Sequence, residues 1–427
     1  MKASKRYAWF VVALLWGVAL LNYMDRQMLS TMRPSMEKAI PELRSAENFG
    51  YLMAIFLWIY GCMSPVAGWI ADRFNRKWVI VASLLVWSAV TSAMGFAHSF
   101  HQLYVLRALM GISEALYLPA GLSLIVDYHS AGTRSLAVGV HMTGIYLGQA
   151  LGGFGATVAA FYSWHATFHW FGFIGIAYAL LLAVCLREKK AGAGDAGGAG
   201  LGGGVDGRVL GDRRPQSAGG VDGPSGGPVL RGLFRTPAFY VILFYFAAAS
   251  VPGWAVKNWL PTLAAQNLRL DMSMAGPIVT ITLSMASLLG VLAGGVVSDK
   301  WVARTSRGRI YTSCIGLALT IPSLLLIGLG HSTAGTIAAM FGFGVGLGIA
   351  DANYMPILCQ FVPASSRATG YGLMNTTGVF AGAWITGLLG RSTQEGQLGT
   401  GFAALAGIVL LAVVLQYLFL KPKSNEV

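Results

Sequence analysis

The sequence predicts an all-α membrane protein in which twelve transmembrane helices form two pseudo-symmetric six-helix bundles. Three observations carry that prediction: a lipid-like composition, twelve apolar runs of spanning length, and an internal repeat relating the two halves of the chain. Of 427 residues, 55% are apolar and 11% charged, with a mean hydropathy of +0.61; soluble domains carry roughly 25% charged residues. A bilayer core needs about 20 apolar residues per helix. In the first half, such runs cover 8–31, 48–71, 78–97, 101–126, 133–160 and 165–187; in the second, 237–263, 275–297, 309–329, 335–361, 367–389 and 400–420. The first run is too long for a signal-peptide h-region and has no small-residue cleavage site, so it reads as a retained helix. An even number of spans puts both termini on one side.

The formal charge of +13 is distributed asymmetrically between the two sets of loops. Lys2, Lys5 and Arg6, Arg73, Arg76 and Lys77, Arg134, the stretch from Arg187 to Arg235, Lys300, Arg304, Arg307 and Arg309, Arg367, Lys421 and Lys423 all fall at the N-terminus, in the even-numbered loops or at the C-terminus. They make up 22 of the 30 Lys and Arg; the opposite loops hold 5 (Arg33, Lys38, Arg44, Arg269, Arg391) and the spans hold 3. This bias predicts cytoplasmic termini in an inner (plasma) membrane, and it explains the positive charge without nucleic acid. Cys62, Cys185, Cys314 and Cys359 lie inside apolar runs and read as small buried hydrophobes rather than disulfide partners.

Residues 191–230 contain 15 Gly in 40 positions, a composition that cannot bury a core. The domain plan is therefore an N-terminal six-helix bundle over 1–190, a cytoplasmic Gly-rich linker over 191–236 and a C-terminal bundle over 237–427. The halves repeat. Gly111-Ile-Ser-Glu-Ala-Leu-Tyr-Leu-Pro119 in the fourth span aligns without gaps on Gly348-Ile-Ala-Asp-Ala-Asn-Tyr-Met-Pro356 in the tenth, with five identities in nine. The loop from Gly68 through Asp72, Arg73 and Arg76 to Lys77 recurs as Gly295 to Asp299 and Lys300, followed by Arg304, Arg307 and Arg309. Offsets of 237 and 227 residues place spans 2, 4, 8 and 10 in matching slots, with the solute site expected between the halves near the midplane.

An ionisable group near the bilayer centre costs about 2.5–3.5 kcal/mol on insertion scales and faces a polar cavity or a partner. Asp25, Arg26, Arg107, Glu114, Lys257 and Asp351 all lie within spans and are expected to share one cavity. At 1.5 Å per residue, Arg26 lies about 27 Å from the cytoplasmic end of its span and Arg107 about 9 Å below the outer surface, depths at which the two guanidinium groups can meet. Glu114 is seven residues, or two turns, beyond Arg107 on the same helix face. The expectation is that Arg26 and Arg107 hold a solute carboxylate, the arginine fork suiting bidentate contact, while Asp25 and Glu114 take up protons. An anion that claims an arginine leaves its former carboxylate partner free for a proton, which couples solute to proton binding. The same residues admit a structural reading in which Asp25 with Arg26, or Arg107 with Glu114, are ion pairs only.

Weaker signals follow. Asp351 occupies the slot of Glu114, but no arginine stands seven residues before it; it either titrates or caps a polar network. Lys257 either offers a second positive group or snorkels to the interface. Tyr23, Gln149 and Asn375, the last with Gly378 and Gly382 on its face, either hydrogen-bond solute hydroxyls or bridge helices. Gly139, Gly144, Gly148 and Gly152 read as a close-packing stripe. The histidines show no metal spacing; among them, His98, His101, His129, His165, His169 and His331 do not read as pocket residues, and His141 does.

The Gly-x-x-x-Asp-Arg-x-x-Arg-Lys loop at 68–77 resembles the signature of the major facilitator superfamily. Within it, Asn22-Tyr-Met-Asp25-Arg26 and Arg107-x-x-x-Gly111-x-x-Glu114-Ala resemble the anion:cation symporter family, whose members carry sugar acids, hexuronates, aromatic carboxylates and, in animals, glutamate and sialic acid. The resemblance covers the whole chain. It implies alternating access, assigns the same roles to the matching Asp25, Arg26, Arg107 and Glu114, and makes Asp72, Arg73 and Asp299 parts of a gate that ties helix ends together.

The expected function is proton-coupled uptake of a small organic anion such as a sugar acid, uronate or aromatic carboxylate. No nucleotide loop or metal cluster appears, so the chain is not read as an enzyme and needs no cofactor: energy comes from a proton gradient, with sodium as the alternative ion. Expected partners are the organic anion, protons and membrane lipid, with no nucleic acid, and the chain is read as a monomer. Competing readings are a proton-coupled exporter of drugs or metabolites, whose cationic cargo two cavity arginines argue against, and a transporter-like membrane solute sensor.

Overall fold

Short polar side chains set where several helices begin. Ser45, Asn75, Ser99, Ser163 and Ser332 each accept a hydrogen bond from a backbone N–H three residues on, at 3.1–3.4 Å, and so cap the helix that follows. In the computed structural model the described residues are 5–129, 131–188, 233–235, 237–330, 332–362 and 367–422; the side chains of Lys5, Asp72, Ala131, Gly132, Arg134, Ser135, Arg367, Ala368 and Thr369 fall outside the description. Apart from 233–235, the expected linker lies outside it too, as do Lys2, His331 and Lys423.

The helices are α1 (Lys5–Met36), α2 (Ala46–Arg73), α3 (Arg76–Met94), α4 (Phe100–Ala115 and Tyr117–Tyr128), α5 (Ala131–Gly152 and Gly155–Phe161), α6 (Trp164–Cys185), α7 (Pro237–Leu268), α8 (Met272–Val302), α9 (Gly308–Leu329), α10 (Thr333–Asp351 and Tyr354–Phe361), α11 (Arg367–Gln394) and α12 (Leu398–Phe419). A short 3₁₀ turn, Pro41–Arg44, joins α1 to α2. Each predicted run corresponds to one of these helices. Among the described residues, ten spans are long and apolar enough to cross a membrane alone, and α5, bent by 44° at its break, makes eleven. The twelfth, α11, is long enough at 28 residues but carries six glycines and Asn375, Thr376 and Thr377. Its polarity suits its surroundings, because it packs along α2 and α7.

The packing repeats six helices on. Within the halves, α1 packs on α5 as α7 packs on α11, α2 on α4 as α8 on α10, and α3 on α6 as α9 on α12; between the halves, α2 meets α11 as α8 meets α5. The repeated nine-residue motif marks the most constrained of these contacts. A Cβ at Gly111 would stand 2.8 Å from the carbonyl oxygen of Phe56 on α2, and one at Gly348 would stand 2.2 Å from that of Ser287 on α8. Both motifs then break their helix, at Leu116 and at Ala352–Asn353. Pro119 and Pro356 follow, and neither has the N–H that would reach the carbonyl four residues back, so the break falls at the same place in each half.

The glycine stripe of α5 has the expected packing role at three of its four positions. Gly144, Gly148 and Gly152 lie against the backbone carbonyls of Trp16, Leu20 and Met24, a matching i, i+4 series on α1, whereas Gly139 faces open space.

Hydrogen bonds between the halves, among the described residues, sit at mid-depth or toward the end of the molecule opposite the termini. Thr280 donates to the carbonyl of Ala150, Thr157 to that of Ser273, and the Ala46 amide to Gln394 Oε1. Arg391 pairs with Glu47 at 2.6 Å and also donates to Tyr51.

Candidate functional site

Residues 23–27 of α1 turn through more than one full turn of helix, and consecutive side chains point about 100° apart. Asp25 and Arg26 therefore enter different surroundings. Arg26 faces α2 and α4: its Nε lies 2.5 Å from Glu114 Oε2, and the pair is almost closed to solvent, at 12% and 0% side-chain exposure. The guanidinium carbon is 4.9 Å from the Tyr23 ring, 4.9 Å from Phe56 and 4.7 Å from Tyr60. Three aromatic faces and one carboxylate thus hold a single cation, an arrangement in which cation–π contact offsets part of its desolvation. Phe56 and Tyr60 were not among the sequence candidates; their i, i+4 spacing on α2 was the available signal, but it reads equally as core.

Asp25 turns toward α3 and accepts a hydrogen bond from Thr91 Oγ1 at 2.6 Å. It lines a small cavity with Leu21, Trp87, Ser88, Thr91, Phe171 and Gly175. This corrects the expectation of one shared cavity. It also removes the Asp25–Arg26 pair, because sequence neighbours on a helix do not face each other.

Arg107 is buried, its guanidinium carbon 4.7 Å from the Phe56 ring, which Arg26 also contacts. Its Nη1 donates to Met110 Sδ at 3.0 Å, and its Nε has no partner. No carboxylate lies within 4.0 Å of it among the described residues, so the Arg107–Glu114 pair is not formed; both carboxylates remain within electrostatic reach. Glu114 Oε1 and Asn22 Nδ2 are likewise buried without partners. Buried polar groups left unpaired are uncommon, and these atoms have capacity for a further hydrogen bond.

A larger cavity lies between the halves. Gln27 and Gln149 reach it from the first half; Lys257, Thr280, Ser284 and Ser287 reach it from the second, beside apolar Leu283, Phe343 and Leu347. Its lining includes neither Arg26 nor Arg107, contrary to the expectation that both face the solute. Lys257 stands in the chamber wall rather than at an interface, with its ammonium 5.2 Å from the Trp254 ring and its carbonyl accepting from Gln27 Nε2 at 2.8 Å. Asp351 closes the first piece of α10 and is exposed. Asn375 is half-buried on α11; Gly378 and Gly382, on its face, are close-packed against Phe246 and Trp254 of α7.

The remaining candidates lie elsewhere. His141 is wholly buried with its ring 6.0 Å from Tyr117, so it is no pocket residue. Of the expected gate, the side chain of Asp72 lies outside the described residues. Arg73 stacks at 4.5 Å over Trp69, and Asp299 sits 3.9 Å from Arg309 inside its own half. Among the described bonds between the halves, the ion pair and its neighbours lie instead at Glu47, Tyr51, Arg391 and Gln394, residues that no motif singled out.

Comparisons with known proteins bear on this arrangement. Residues 15–386 match the family model described as Major Facilitator Superfamily. The chain is 23% identical over 430 residues to the hexuronate transporter of Bacillus subtilis (strain 168), an alignment covering 96% of this chain and 94% of that protein. It is 24% identical over 414 residues to protein spinster homolog 1 of Xenopus laevis, covering 91% of this chain and 74% of the relative. Among solved structures, a bacterial homolog to the human lysosomal transporter Spinster, in an inward-facing and unoccupied conformation, matches with a TM-score of 0.78 at 20% identity over 97% of both chains. That likeness concerns the fold.

Proposed function

The chain belongs to the Major Facilitator Superfamily, and from that premise we propose that it is a proton-coupled symporter of a small organic anion, such as a sugar acid, uronate or aromatic carboxylate, working by alternating access. The observation that carries this reading is the Arg26–Glu114 ion pair, closed at 2.5 Å inside an aromatic cage beside Asp25 and the unpaired Arg107. Similarity to a hexuronate transporter supports the cargo class.

Coupling follows from the cost of an unpaired charge. An incoming carboxylate gains Arg26 only by displacing Glu114, and a buried ion left alone costs several kcal/mol unless it takes a proton. Proton binding to Glu114 and anion binding to the arginine then favour one another. Asp25, reached through its own small cavity, supplies the second proton site. The charge bias puts the termini in the cytoplasm, so the bonded end at Glu47, Arg391, Thr157 and Ser273 faces outward and the chamber is read as inward-facing.

The test uses purified protein in liposomes and radiolabelled D-glucuronate as probe. Wild type is expected to accumulate it under an inward proton gradient. Glu114→Gln and Asp25→Asn are expected to lose accumulation against the gradient while Glu114→Gln keeps exchange of internal for external anion. Undiminished accumulation in both variants would remove the coupling role, and a sensor would give binding without any accumulation in wild type.

A further inference from the structure

Repeat symmetry extends to a place the sequence motifs did not reach. The contacts of the repeated motif pair Phe56 on α2 with Ser287 on α8, an offset of 231 residues. The same offset on α1 carries Tyr23, Arg26 and Gln27 to Trp254, Lys257 and Asn258 on α7. Both triplets read aromatic, two residues, cation, amide. Both cations sit over their aromatic, at 4.9 Å in the first half and 5.2 Å in the second. The motif offset of 237 carries Glu114 to Asp351. Each half therefore holds one unit of aromatic, cation and carboxylate.

The two units differ in state. In the first half the cation is locked to its carboxylate within three rings. In the second, no carboxylate lies within 4.0 Å of Lys257 among the described residues, although Asp351 is within electrostatic reach. Lys257 also lines the chamber, which Arg26 does not. An anion entering from solution therefore meets Lys257 as an accessible cation without an ion-pair partner, whereas Arg26 must first be pulled out of a buried pair.

Resting on the organic-anion reading above, we propose that Lys257 is the first receptor of the cargo carboxylate, with Asp351 as the internal counter-ion that competes with cargo for it. The lining of this chamber suits a carboxylate on a hydroxyl-bearing body. Gln27, Gln149, Ser284 and Ser287 offer donors and acceptors for hydroxyls, and Leu283 and Phe343 cover the apolar face. Trp254 holds the ammonium in place from beneath, itself fixed by Gly382, where a Cβ would stand 2.1 Å from the indole. The second half then carries its own charge exchange, loosely paired, and hands the anion toward the tightly paired one.

Binding of D-glucuronate, D-gluconate and benzoate to full-length protein, by thermal shift and by exchange in liposomes without a proton gradient, tests this. Lys257→Gln is expected to weaken binding by roughly tenfold or more, the scale of a lost charge-assisted hydrogen bond. Lys257→Arg is expected to restore binding, and Asp351→Asn to tighten it several-fold by removing the competitor. The ligand-free melting temperature of each variant separates misfolding from lost binding. Wild-type-like binding by Lys257→Gln overturns the proposal and leaves the symport reading standing; so does weaker binding by Asp351→Asn. Failure of wild type to bind any of these anions sinks both.

Discussion

At the scale of single residues, local rotation decides more than sequence proximity. Asp25 and Arg26 are adjacent, yet the first hydrogen-bonds Thr91 on α3 and the second pairs with Glu114 on α4. Thr91 is the only described donor to Asp25, so Thr91→Val removes the bond while nearly keeping the side-chain shape. It leaves a buried acid unsatisfied, at a cost of about 1–3 kcal/mol. The expected outcome is a lower melting temperature in detergent together with a shifted pH dependence of glucuronate accumulation. Loss of stability with an unchanged pH profile would reduce Thr91 to packing. The acids and arginines were legible because charge in an apolar run is conspicuous. Phe56 and Tyr60 were not, because an aromatic on an apolar helix looks the same whether it cages a cation or fills a core.

Helices in this protein approach one another where side chains are absent. Along α5, Gly148 lies where a Cβ would stand 2.4 Å from the carbonyl oxygen of Leu20. The neighbour is backbone, which cannot rotate away, so Gly148→Ala is expected to destabilise by about 1–3 kcal/mol through overpacking. Gly139 on the same helix faces open space, and Gly139→Ala is expected to be neutral or slightly stabilising, since alanine is the better helix former by about 1 kcal/mol. Melting temperatures of the two variants make the comparison, and equal destabilisation would contradict the packing account. Spacing alone marked the glycine stripe as a contact surface. The partner helix, and the exception at Gly139, required the assembled bundle. Helix α11 shows the opposite limit: its run was legible, but its polarity has a reason only once α2 and α7 are seen to cover it.

For the whole molecule, the closed end is the feature with the most direct test. Gly50 and Gly390 face each other across α2 and α11, and a Cβ built on either stands 3.1 Å from the other's Cα. That approach leaves no room for a side chain, since a Cβ on Gly390 would also stand 2.8 Å from the carbonyl oxygen of Ala46. Gly390→Ala is therefore expected to hold α2 and α11 apart at this end and to lower both the melting temperature and glucuronate accumulation. Undiminished accumulation by Gly390→Ala would mean that α2 and α11 need not close there. Sequence by itself determined the spans, the repeat, the superfamily and the identity of the charged residues. These depend on hydropathy, length and insertion cost, each of which is additive along a chain. Tertiary structure alone decided that Arg26 pairs with Glu114, that Asp25 opens to a cavity of its own, that Arg107 hides behind Phe56 and that Lys257 fronts the chamber. Those choices depend on how each helix is rotated about its axis and what its neighbours present, and a 100° step per residue gives each position a direction that acquires a partner only when the bundle is assembled.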